Sequence, residues 1–435
     1  MKRLLSTGLN AGSETVVEVV GGQGAWFDLS DGRRVLDGSN TAGALGHAHP
    51  DMVETLHKVA KHPAVSEGWA YRDRELAAEE LIDTAFQGET DWVGAVRFGL
   101  SGSEINDLAL SLAQAMTGRA PIATRERAYH GITGLSRDVT VQPHWHGGLS
   151  LMGGGVRPSA PNTEVRILSA PVTSLYGERL ADLPPDDDAT LAAKLEGTAA
   201  TIIDYTQGGI YHDGAYQDRI AAAARKAGSL WIADEVVTGA GRQGRWFAFQ
   251  GGQSRPDMVT MGKALAGGAS PIGAVILSKD MVKALDGSSW QAYSTYRGHP
   301  VAMAGVRSYL RVVQRDGLIA RAAQLGEMIR ARMLTIAQAH PSVARIDGRG
   351  MHWTVELHGP HWRDWRADTA ETPIASRVSA KALEMGVVIG TSGEQTSLFL
   401  APPLIVSDAE IGQILDTLDE ALKVADAAMD RASQA

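Results

Sequence analysis

The chain has 435 residues, of which 44% are hydrophobic and 21% are charged, and its formal net charge is −9. This length allows two or three packed domains, and the composition is that of a compact folded protein, which excludes disordered and collagen-like chains. Cysteine is absent, which excludes disulfides, thiolate metal ligands and cysteine nucleophiles. The acidic balance argues against a nucleic-acid binder, so small molecules are the expected partners.

Apolar runs along the chain are short. None approaches the roughly 18 residues that a membrane-spanning helix needs, and no apolar stretch follows the basic residues at the start. We therefore expect a cytoplasmic protein without a membrane partner.

The predicted elements begin with strands over 15–20 and 25–29, separated by glycines, and a helix after Pro50. From about residue 70, helices alternate with short runs rich in Val and Ile. The periodicity predicts helices at 73–86, 103–117, 214–227 and 300–315, and strands at 93–98, 198–204, 229–235 and 271–277. This alternation predicts an α/β fold, in which a largely parallel sheet is covered by helices.

A second, smaller α+β unit is predicted beyond residue 317. It comprises a long amphipathic helix, strands near 343–358 and 387–400, and a final helix from Ser407. We expect a large domain over 66–305, and a small domain whose N-terminal part is 1–65 and whose C-terminal part is 306–435.

Two predicted strands end in residues that carry chemistry. The apolar run 230–233 is followed by Asp234 and Glu235, and ligands of open parallel sheets bind at the carboxyl ends of strands. The alternative is that Asp234 only caps the next turn. Lys263 lies between an apolar strand and a glycine-rich loop, where partial burial lowers a lysine pKa and makes a Schiff-base nucleophile. A lysine with a carboxylate partner is the arrangement that pyridoxal phosphate needs.

A phosphate site is expected between the strand at 93–98 and the helix at 103–117. There Ser101, Gly102 and Ser103 are small enough for backbone N–H groups to approach a dianion, and the helix N-terminus adds its positive end. The same three residues are equally typical of an ordinary helix N-cap.

With these motifs, the chain resembles the class III (ornithine/4-aminobutyrate type) aminotransferases of pyridoxal phosphate fold type I, from residue 46 to residue 404. The resemblance implies a large domain with a mainly parallel seven-stranded sheet, a smaller α+β domain made from both termini, and a homodimer with shared active sites. It also implies a set of cofactor-binding residues, namely Ser101, Gly102, Ser103, Tyr129, His130, Gln207, Asp234, Lys263 and Thr295.

Within that set, the resemblance implies individual roles. Gly102 and Ser103 would hold the phosphate, Tyr129 would stack on the pyridine ring, and Gln207 would bond its phenolic oxygen. Thr295 would reach the phosphate of the neighbouring subunit's cofactor. The two catalytic residues would be Asp234, which keeps the ring nitrogen protonated, and Lys263, which forms the internal aldimine and then moves the substrate proton.

The chain departs from the family pattern at two linked positions. Many members pair a glutamate with an arginine and release that arginine to bind 2-oxoglutarate, whereas this chain has Gly209 and Phe399 at those positions. A buried arginine–carboxylate pair is useful only when both members are present. The absence of both the glutamate and the arginine is therefore consistent with loss of the whole pair. It argues against 2-oxoglutarate as the amino acceptor.

Four further residues are candidates for substrate binding, together with Phe399. Arg297 replaces a small residue of the family and is a candidate anchor for an anionic substrate; the alternative is a surface arginine at the dimer seam. Trp69, Tyr71 and Arg72 resemble pocket-wall positions, although an aromatic pair is equally expected in interface packing.

Two other motifs are rejected. The run 239–244 fits the dinucleotide pattern GxGxxG, but aromatic residues follow where a helix must begin. His47 with His49, and His144 with His146, have metal-like spacing without a nearby carboxylate cluster, so no metal site is predicted.

The preferred function is an aminotransferase that moves an amino group from an amine or amino acid to a keto acid or aldehyde. A lyase that eliminates a β-substituent such as hydroxyl or phosphate is the alternative, motivated by the missing arginine–glutamate pair and by Arg297. A racemase or aminomutase is a related possibility. A non-catalytic binding protein is disfavoured because Lys263 and Asp234 are both retained.

Overall fold

The computed structural model describes residues 17–142, 149–150, 156–157, 159–171, 174–178, 183–358, 372–392 and 396–434. Its strands are β1 (Val19–Gln23), β2 (Trp26–Leu29), β3 (Arg34–Asp37), β4 (Val93–Gly99), β5 (Ile122–Arg125), β6 (Leu149–Ser150), β7 (Val156–Arg157), β8 (Val165–Leu168), β9 (Ala200–Asp204), β10 (Leu230–Asp234), β11 (Met258–Gly262), β12 (Gly273–Ser278), β13 (Val343–Arg349), β14 (His352–Leu357), β15 (Val387–Val388), β16 (Gly390–Thr391) and β17 (Ser397–Leu400). Its α-helices are α1 (Pro50–Val59), α2 (Arg72–Ala85), α3 (Gly102–Thr117), α4 (Gly134–Asp138), α5 (Asp188–Leu195), α6 (Gly214–Ala227), α7 (Lys279–Ala284), α8 (Pro300–Arg315), α9 (Leu318–Ala339), α10 (Ile374–Glu384) and α11 (Asp408–Gln434).

A seven-stranded sheet with the order β4-β12-β11-β10-β9-β5-β8 forms the centre of the molecule. Only β12 runs antiparallel to its neighbours, so the predicted α/β fold with a mainly parallel sheet is confirmed. The central strands β9, β10 and β11 are buried along their whole length, apart from the first residue of β10. Strands buried on both faces read as continuous apolar runs, which is why the sequence identified them.

The predicted helices correspond to α2, α3, α6 and α8, whereas the strand predictions were incomplete. Of the strand predicted over 15–20, residues 15 and 16 lie outside the described residues, and β1 begins at Val19. In the central sheet, strands β5 and β8 were missed. The apolar run of β5 is short and ends in the buried Arg125, whose charge is paired inside the protein, and β8 is an edge strand that contains Arg166.

Two smaller sheets flank the central one. In the first, the antiparallel strands β1, β2 and β3 are joined by β15, which pairs in parallel with β3. In the second, the order is β13-β14-β17-β16. Because β3 and β15 come from opposite ends of the chain, the N-terminal and C-terminal segments share one sheet.

Helix α8 packs against the turn that directly follows β11. It begins with Pro300 at its first turn, and it packs against α1, α2 and the 3-10 turn Lys263–Ala266. A Cβ at Gly305 of α8 would lie 3.2 Å from the Cβ of Ala266, so this glycine allows close approach of the helix to the turn. The turn that carries Lys263 is therefore supported by a buried helix.

The longest helices, α9 and α11, contact each other and lie outside the central sheet. Both carry charged residues along their length. Within the described part of the chain, no helix is both long enough and apolar enough to cross a bilayer.

Candidate active site

Five chain segments meet at one edge of the central sheet. They follow β4, β5, β9, β10 and β11, and these parallel strands have their carboxyl ends on the same side. The segments enclose a cavity of ≈ 110 Å³, which we call the inner cavity. Seven predicted site residues border it, namely Gly102, Ser103, Tyr129, His130, Gln207, Asp234 and Lys263. The cavity therefore lies where ligands of open parallel sheets bind.

Asp234 is the last residue of β10 and is 4% exposed. Its Oδ2 accepts a hydrogen bond from Asn106 Nδ2 at 2.8 Å and lies 2.7 Å from His130 Nδ1. Its Oδ1 accepts a hydrogen bond from the backbone N–H of Val236 at 2.9 Å, so Asp234 also caps the next turn. These contacts hold the carboxylate in one orientation at the cavity wall, where its charge stabilises a nearby cation.

Glu235, the second carboxylate after β10, does not border the inner cavity. It is fully buried, and its oxygens accept hydrogen bonds from Thr238 Oγ1 at 2.5 Å and from the backbone N–H of Phe249 at 2.8 Å. Burial raises the pKa of Glu235 to about 7. Of the two acids, only Asp234 faces the site.

Lys263 follows β11 and has a φ of 44°, in the left-handed region that residues other than glycine rarely adopt. Its side chain borders the inner cavity together with Asp234. Burial lowers the pKa of Lys263 to about 8; the charge of Asp234 opposes this change, and Arg242 adds to it. A larger fraction of this amine is therefore unprotonated at neutral pH than for a solvated lysine, which makes it a better nucleophile.

The N-terminus of α3 forms another wall of the inner cavity. Ser101 is the N-cap residue, and its Oγ accepts a hydrogen bond from the backbone N–H of Glu104 at 3.2 Å. Gly102 and Ser103 border the cavity. A Cβ at Gly102 would lie 2.6 Å from Cγ1 of Val236, so only glycine fits there. The first turn of this helix is suited to hold a phosphate, because its N–H groups and its dipole are positive.

Tyr129 and Gln207 lie between the inner cavity and a larger one. Tyr129 is half-buried, and burial raises its pKa, with a further contribution from the charge of Asp234. Gln207 begins the 3-10 turn Gln207–Gly209, and its backbone carbonyl accepts a hydrogen bond from Arg125 Nη2 at 3.0 Å. An aromatic ring and an amide are thus available beside Asp234 and Lys263.

Asp204 provides a test of whether this cavity fits a cofactor. Its Oδ1 accepts a hydrogen bond from the backbone N–H of Gln207 at 2.8 Å and pairs with Arg125. Its Oδ2 is buried and has no hydrogen-bond partner among the described residues. A buried oxygen without a partner is costly, so it is expected where a ligand completes the site. A helix N-terminus, an aromatic ring, a carboxylate and an amine around such a cavity fit pyridoxal phosphate.

Asn106, which the sequence analysis missed, connects the parts of this cavity. Its Nδ2 also donates to the backbone carbonyl of His130 at 2.7 Å, and its Oδ1 accepts from Thr260 Oγ1 at 2.5 Å. Asn106 follows Ile105 on the buried face of α3. An asparagine on an apolar helix face was the available signal, because buried amides need partners.

A larger cavity of ≈ 690 Å³, which we call the outer cavity, adjoins the inner one. Lys263, Tyr129 and Gln207 border both. The rest of its wall comes from widely separated segments, including Thr41 and residues 376–399. Since Lys263 is shared, a molecule in the outer cavity can reach the Lys263 amine.

Gly209 and Phe399 both border the outer cavity. Gly209 has a φ of 65°, and a Cβ there would lie 2.7 Å from Cγ2 of Thr354 and 3.0 Å from Nη2 of Arg345. No side chain fits at this position without movement of its neighbours. Phe399 stacks on His352, with ring centroids 6.2 Å apart and an interplanar angle of 10°. At the two positions where the family pattern has an acid and a base, this cavity has neither.

Four predicted residues lie at the surface, away from both cavities. Trp69 is 72% exposed, and Arg72 and Thr295 are also exposed. Tyr71 is half-buried, and its hydroxyl donates to Asp73 at 3.0 Å. Within one chain, these residues do not contribute to the site.

Arg297 is buried and makes ion pairs within the chain. It is 6% exposed, and its Nε and Nη2 donate to Glu104 Oε1 at 3.1 and 3.0 Å. Its Nη1 lies 3.8 Å from an oxygen of Glu67. Neither cavity is bordered by Arg297.

Of the rejected motifs, the run 239–244 and the pair His47 and His49 lie within the described residues. The run 239–244 forms turns without a helix. His47 Nε2 lies 3.0 Å from Asp37 Oδ2, whereas His144 and His146 are outside the described residues. In the part of the chain that the structure describes, no three metal-ligating side chains cluster.

Comparisons with known proteins indicate the family of the chain. The sequence pattern of the family described as "Aminotransferase class-III" matches residues 9–422. A diaminobutyrate–2-oxoglutarate aminotransferase of Rhizobium meliloti is 29% identical over 429 residues, which cover 90% of this chain and 85% of that protein.

Two solved structures extend the comparison. An S-selective transaminase from Bacillus megaterium has a TM-score of 0.86 and 29% identity, over 98% of this chain and 97% of the other. A phospholyase from Arthrobacter, in complex with phosphoethanolamine, has a TM-score of 0.78 and 26% identity, over 94% of this chain and 95% of the other.

Proposed function

The chain belongs to the class III family of pyridoxal-phosphate-dependent aminotransferases, and we propose that it transfers an amino group from an amine or amino acid to a keto acid or aldehyde, using Lys263 and Asp234. One observation carries this proposal. Asp234 and Lys263 follow the neighbouring parallel strands β10 and β11, and both border the inner cavity. Pyridoxal phosphate, when bound, supplies an aldehyde that takes up amino groups and a ring that withdraws electrons from the adjacent carbon.

Lys263 would act twice. Its pKa of about 8 leaves part of the amine unprotonated at neutral pH, which is the form that attaches to an aldehyde. Once an incoming amine displaces it, the free Nζ is a base that can take a proton from the substrate carbon and return it. Tyr129 and Gln207, at the boundary of the two cavities, would position the ring beside it.

Asp234 would hold the proton on the ring nitrogen. Its carboxylate is oriented by Asn106 and His130, and a fixed negative charge in a buried site stabilises a cation more strongly than a solvated one does. The N-terminus of α3, at Gly102 and Ser103, would bind the phosphate.

The test uses purified protein loaded with pyridoxal phosphate and a panel of amines and amino acids, with no acceptor present. An aminotransferase converts stoichiometric cofactor to pyridoxamine phosphate, which is quantified after the protein is denatured. If no donor in the panel yields pyridoxamine phosphate, the proposed function is wrong.

A lyase is the second candidate, because the Arthrobacter phospholyase has a similar structure. Elimination needs no acceptor but benefits from a cation that holds the leaving anion. Arg297, the earlier candidate for that cation, is already paired with Glu104 and Glu67, which favours transfer over elimination. Continuous ammonia release from phosphoethanolamine, without any acceptor, would establish the lyase instead.

We propose that two copies of the chain share their active sites. Trp69 and Tyr296 are 72% and 58% exposed, and Tyr293 is 65% exposed. Clustered exposed aromatics mark protein interfaces, and Thr295 lies among them. Light scattering should give the mass of a dimer, and a monomer with full activity would contradict this arrangement.

The remaining assignments are also proposals. The shared sheet of β3 and β15 supports a small domain built from 1–65 and 306–435 around a large domain of 66–305. A cytoplasmic location accords with the absence of cysteine. Limited proteolysis and cell fractionation would test these two assignments.

A further inference from the structure

We infer that the outer cavity binds the uncharged, hydroxylated part of the substrate, so that the preferred amine or carbonyl compound carries hydroxyl groups and no carboxylate at its far end. This inference rests on the proposed amino transfer and names the substrate class for that same site. The evidence for it is that the described wall of the outer cavity has few charged groups and several hydroxyl groups.

The wall of the outer cavity has almost no charge. Among the described residues that border it, the only cationic side chain is Lys263, and carboxylates are absent. His352 is the other basic residue, but burial lowers its pKa to about 3, and its Nδ1 bonds to the hydroxyl of Tyr211. His352 is therefore neutral at physiological pH and cannot serve as the counter-ion of a carboxylate.

Three charged side chains lie behind Gly208 and Gly209 of the wall, and Glu356 pairs with both arginines, since Arg127 Nη1 lies 3.8 Å from Glu356 Oε1. Arg345 Nε donates to Glu356 Oε2 at 2.8 Å, and Arg345 Nη2 donates to the backbone carbonyl of Gly209 at 2.5 Å. Arg345 and Glu356 are 2% and 4% exposed and do not border the cavity. A carboxylate that entered the outer cavity would lose its hydration without gaining an ion pair, which costs several kcal/mol.

The same wall offers hydroxyl groups that make no hydrogen bond with the described residues. In the described part of the chain, the hydroxyls of Thr41, Ser376 and Thr391 make no hydrogen bond, although all three border the cavity. Ser379 differs, because its Oγ donates to the backbone carbonyl of Ile389 at 2.6 Å. Free hydroxyls both donate and accept, so they suit a ligand that carries hydroxyl groups.

The first experiment compares three terminal amines of five carbons with the loaded wild-type protein and no acceptor. Aminopentanol is expected to form pyridoxamine phosphate with the highest kcat/KM, pentylamine to be roughly 5-fold slower, and aminopentanoate to be at least roughly 100-fold slower. Equal rates for aminopentanol and pentylamine, or a faster reaction of aminopentanoate, would overturn the inference while leaving the proposed amino transfer intact. If these three amines and the broader donor panel all fail, the proposed function itself is wrong.

The second experiment removes two of these three hydroxyls. In the double variant Ser376→Ala, Thr391→Val, the preference for aminopentanol over pentylamine should fall clearly below its value of roughly 5-fold in the wild type. Ser379→Ala is the matched control, since its hydroxyl is already bonded within the protein, and it should keep the preference ratio. A ratio that is unchanged in the double variant, or lost in the control, would contradict the assignment of these hydroxyls.

The third experiment restores a cation. Phe399→Arg should raise kcat/KM for aminopentanoate relative to aminopentanol by roughly 10-fold or more, because the new guanidinium can pair with the carboxylate. Phe399→Leu removes the ring without adding charge and should leave the relative rates unchanged. If the leucine variant gains aminopentanoate activity as well, space and not charge limits the cavity, and the inference is wrong.

Discussion

The inner and outer cavities share Lys263 but are built in different ways. The inner cavity is formed by residues that directly follow strands of one sheet, and its central carboxylate has three fixed contacts. The outer cavity is formed by widely separated segments, which include Thr41 and Phe399, and several of its hydroxyls make no hydrogen bond with the described residues. From this comparison we propose that residues at the sheet edge carry out the chemistry, whereas the dispersed wall residues of the outer cavity select the substrate.

The largest expected effect is at the shared residue. Lys263→Ala should lower amino transfer by roughly 10³-fold or more, because it removes both the attaching amine and the base. The cofactor should still bind, through the N-terminus of α3 and Asp234, as measured by equilibrium dialysis. Lys279→Ala, at an exposed lysine of α7, is the control and should retain activity. Comparable loss in both variants would count against a special role of Lys263.

The pKa of Lys263 gives the second prediction. Burial lowers this pKa from 10.5 to about 8, so at pH 7 the unprotonated fraction in the cofactor-free protein should exceed that of an ordinary lysine by roughly 300-fold. Acetylation of Lys263 should therefore rise with pH to a midpoint near 8, measured peptide by peptide with mass spectrometry. Asp234→Asn should move the midpoint lower, because the carboxylate raises this pKa. A midpoint that moves upward would contradict the geometry.

The third prediction concerns the fixed carboxylate of the inner cavity. Asp234→Asn keeps the shape of the side chain but removes the charge that would hold the proton on the ring nitrogen, so kcat should fall by roughly 100-fold. Cofactor binding should weaken much less, because the helix N-terminus still binds the phosphate. Full activity in the variant would show that the ring nitrogen needs no carboxylate.

The fourth prediction concerns the wall of the outer cavity. Gly209→Ala should lower the free energy of unfolding by about 2 kcal/mol, because its φ of 65° is strained for alanine and the new Cβ would meet Thr354. Gly412→Ala, on α11 with open space around it, is the matched control and should be neutral or slightly stabilising. Urea unfolding of both variants measures the difference, and equal stabilities would contradict the close packing at Gly209.

The smallest expected effects are at Asn106 and its partner Thr260. Asn106→Ala removes the hydrogen bonds from Asn106 to Asp234 and to the backbone carbonyl of His130, but the contact of His130 Nδ1 with Asp234 remains, so kcat should fall by roughly 10-fold. Thr260→Val removes the hydroxyl that donates to Asn106 Oδ1. This variant should lower kcat by a smaller factor, because Thr260 acts on Asp234 only through Asn106. A larger loss for Thr260→Val than for Asn106→Ala would overturn this order.

The sequence predicted the parts of the molecule that depend on short segments. Apolar runs identified β9 to β12, and an acid or a lysine directly after such a run led to Asp234 and Lys263. It missed β5, whose Arg125 is buried through a pair with Asp204, a residue distant in the chain. It also missed Asn106, for which an asparagine on an apolar helix face was the local signal, and His352, whose partners are set by tertiary packing and leave no local pattern.

The most direct test of the central claim is to identify the residue that carries the cofactor. The protein is loaded with pyridoxal phosphate, treated with borohydride so that any lysine–cofactor bond becomes permanent, digested and analysed by mass spectrometry. The structure predicts that the label lies on the peptide that contains Lys263, with one label per chain. A label on another lysine, or no label in protein that has bound the cofactor, would contradict the assignment of the inner cavity.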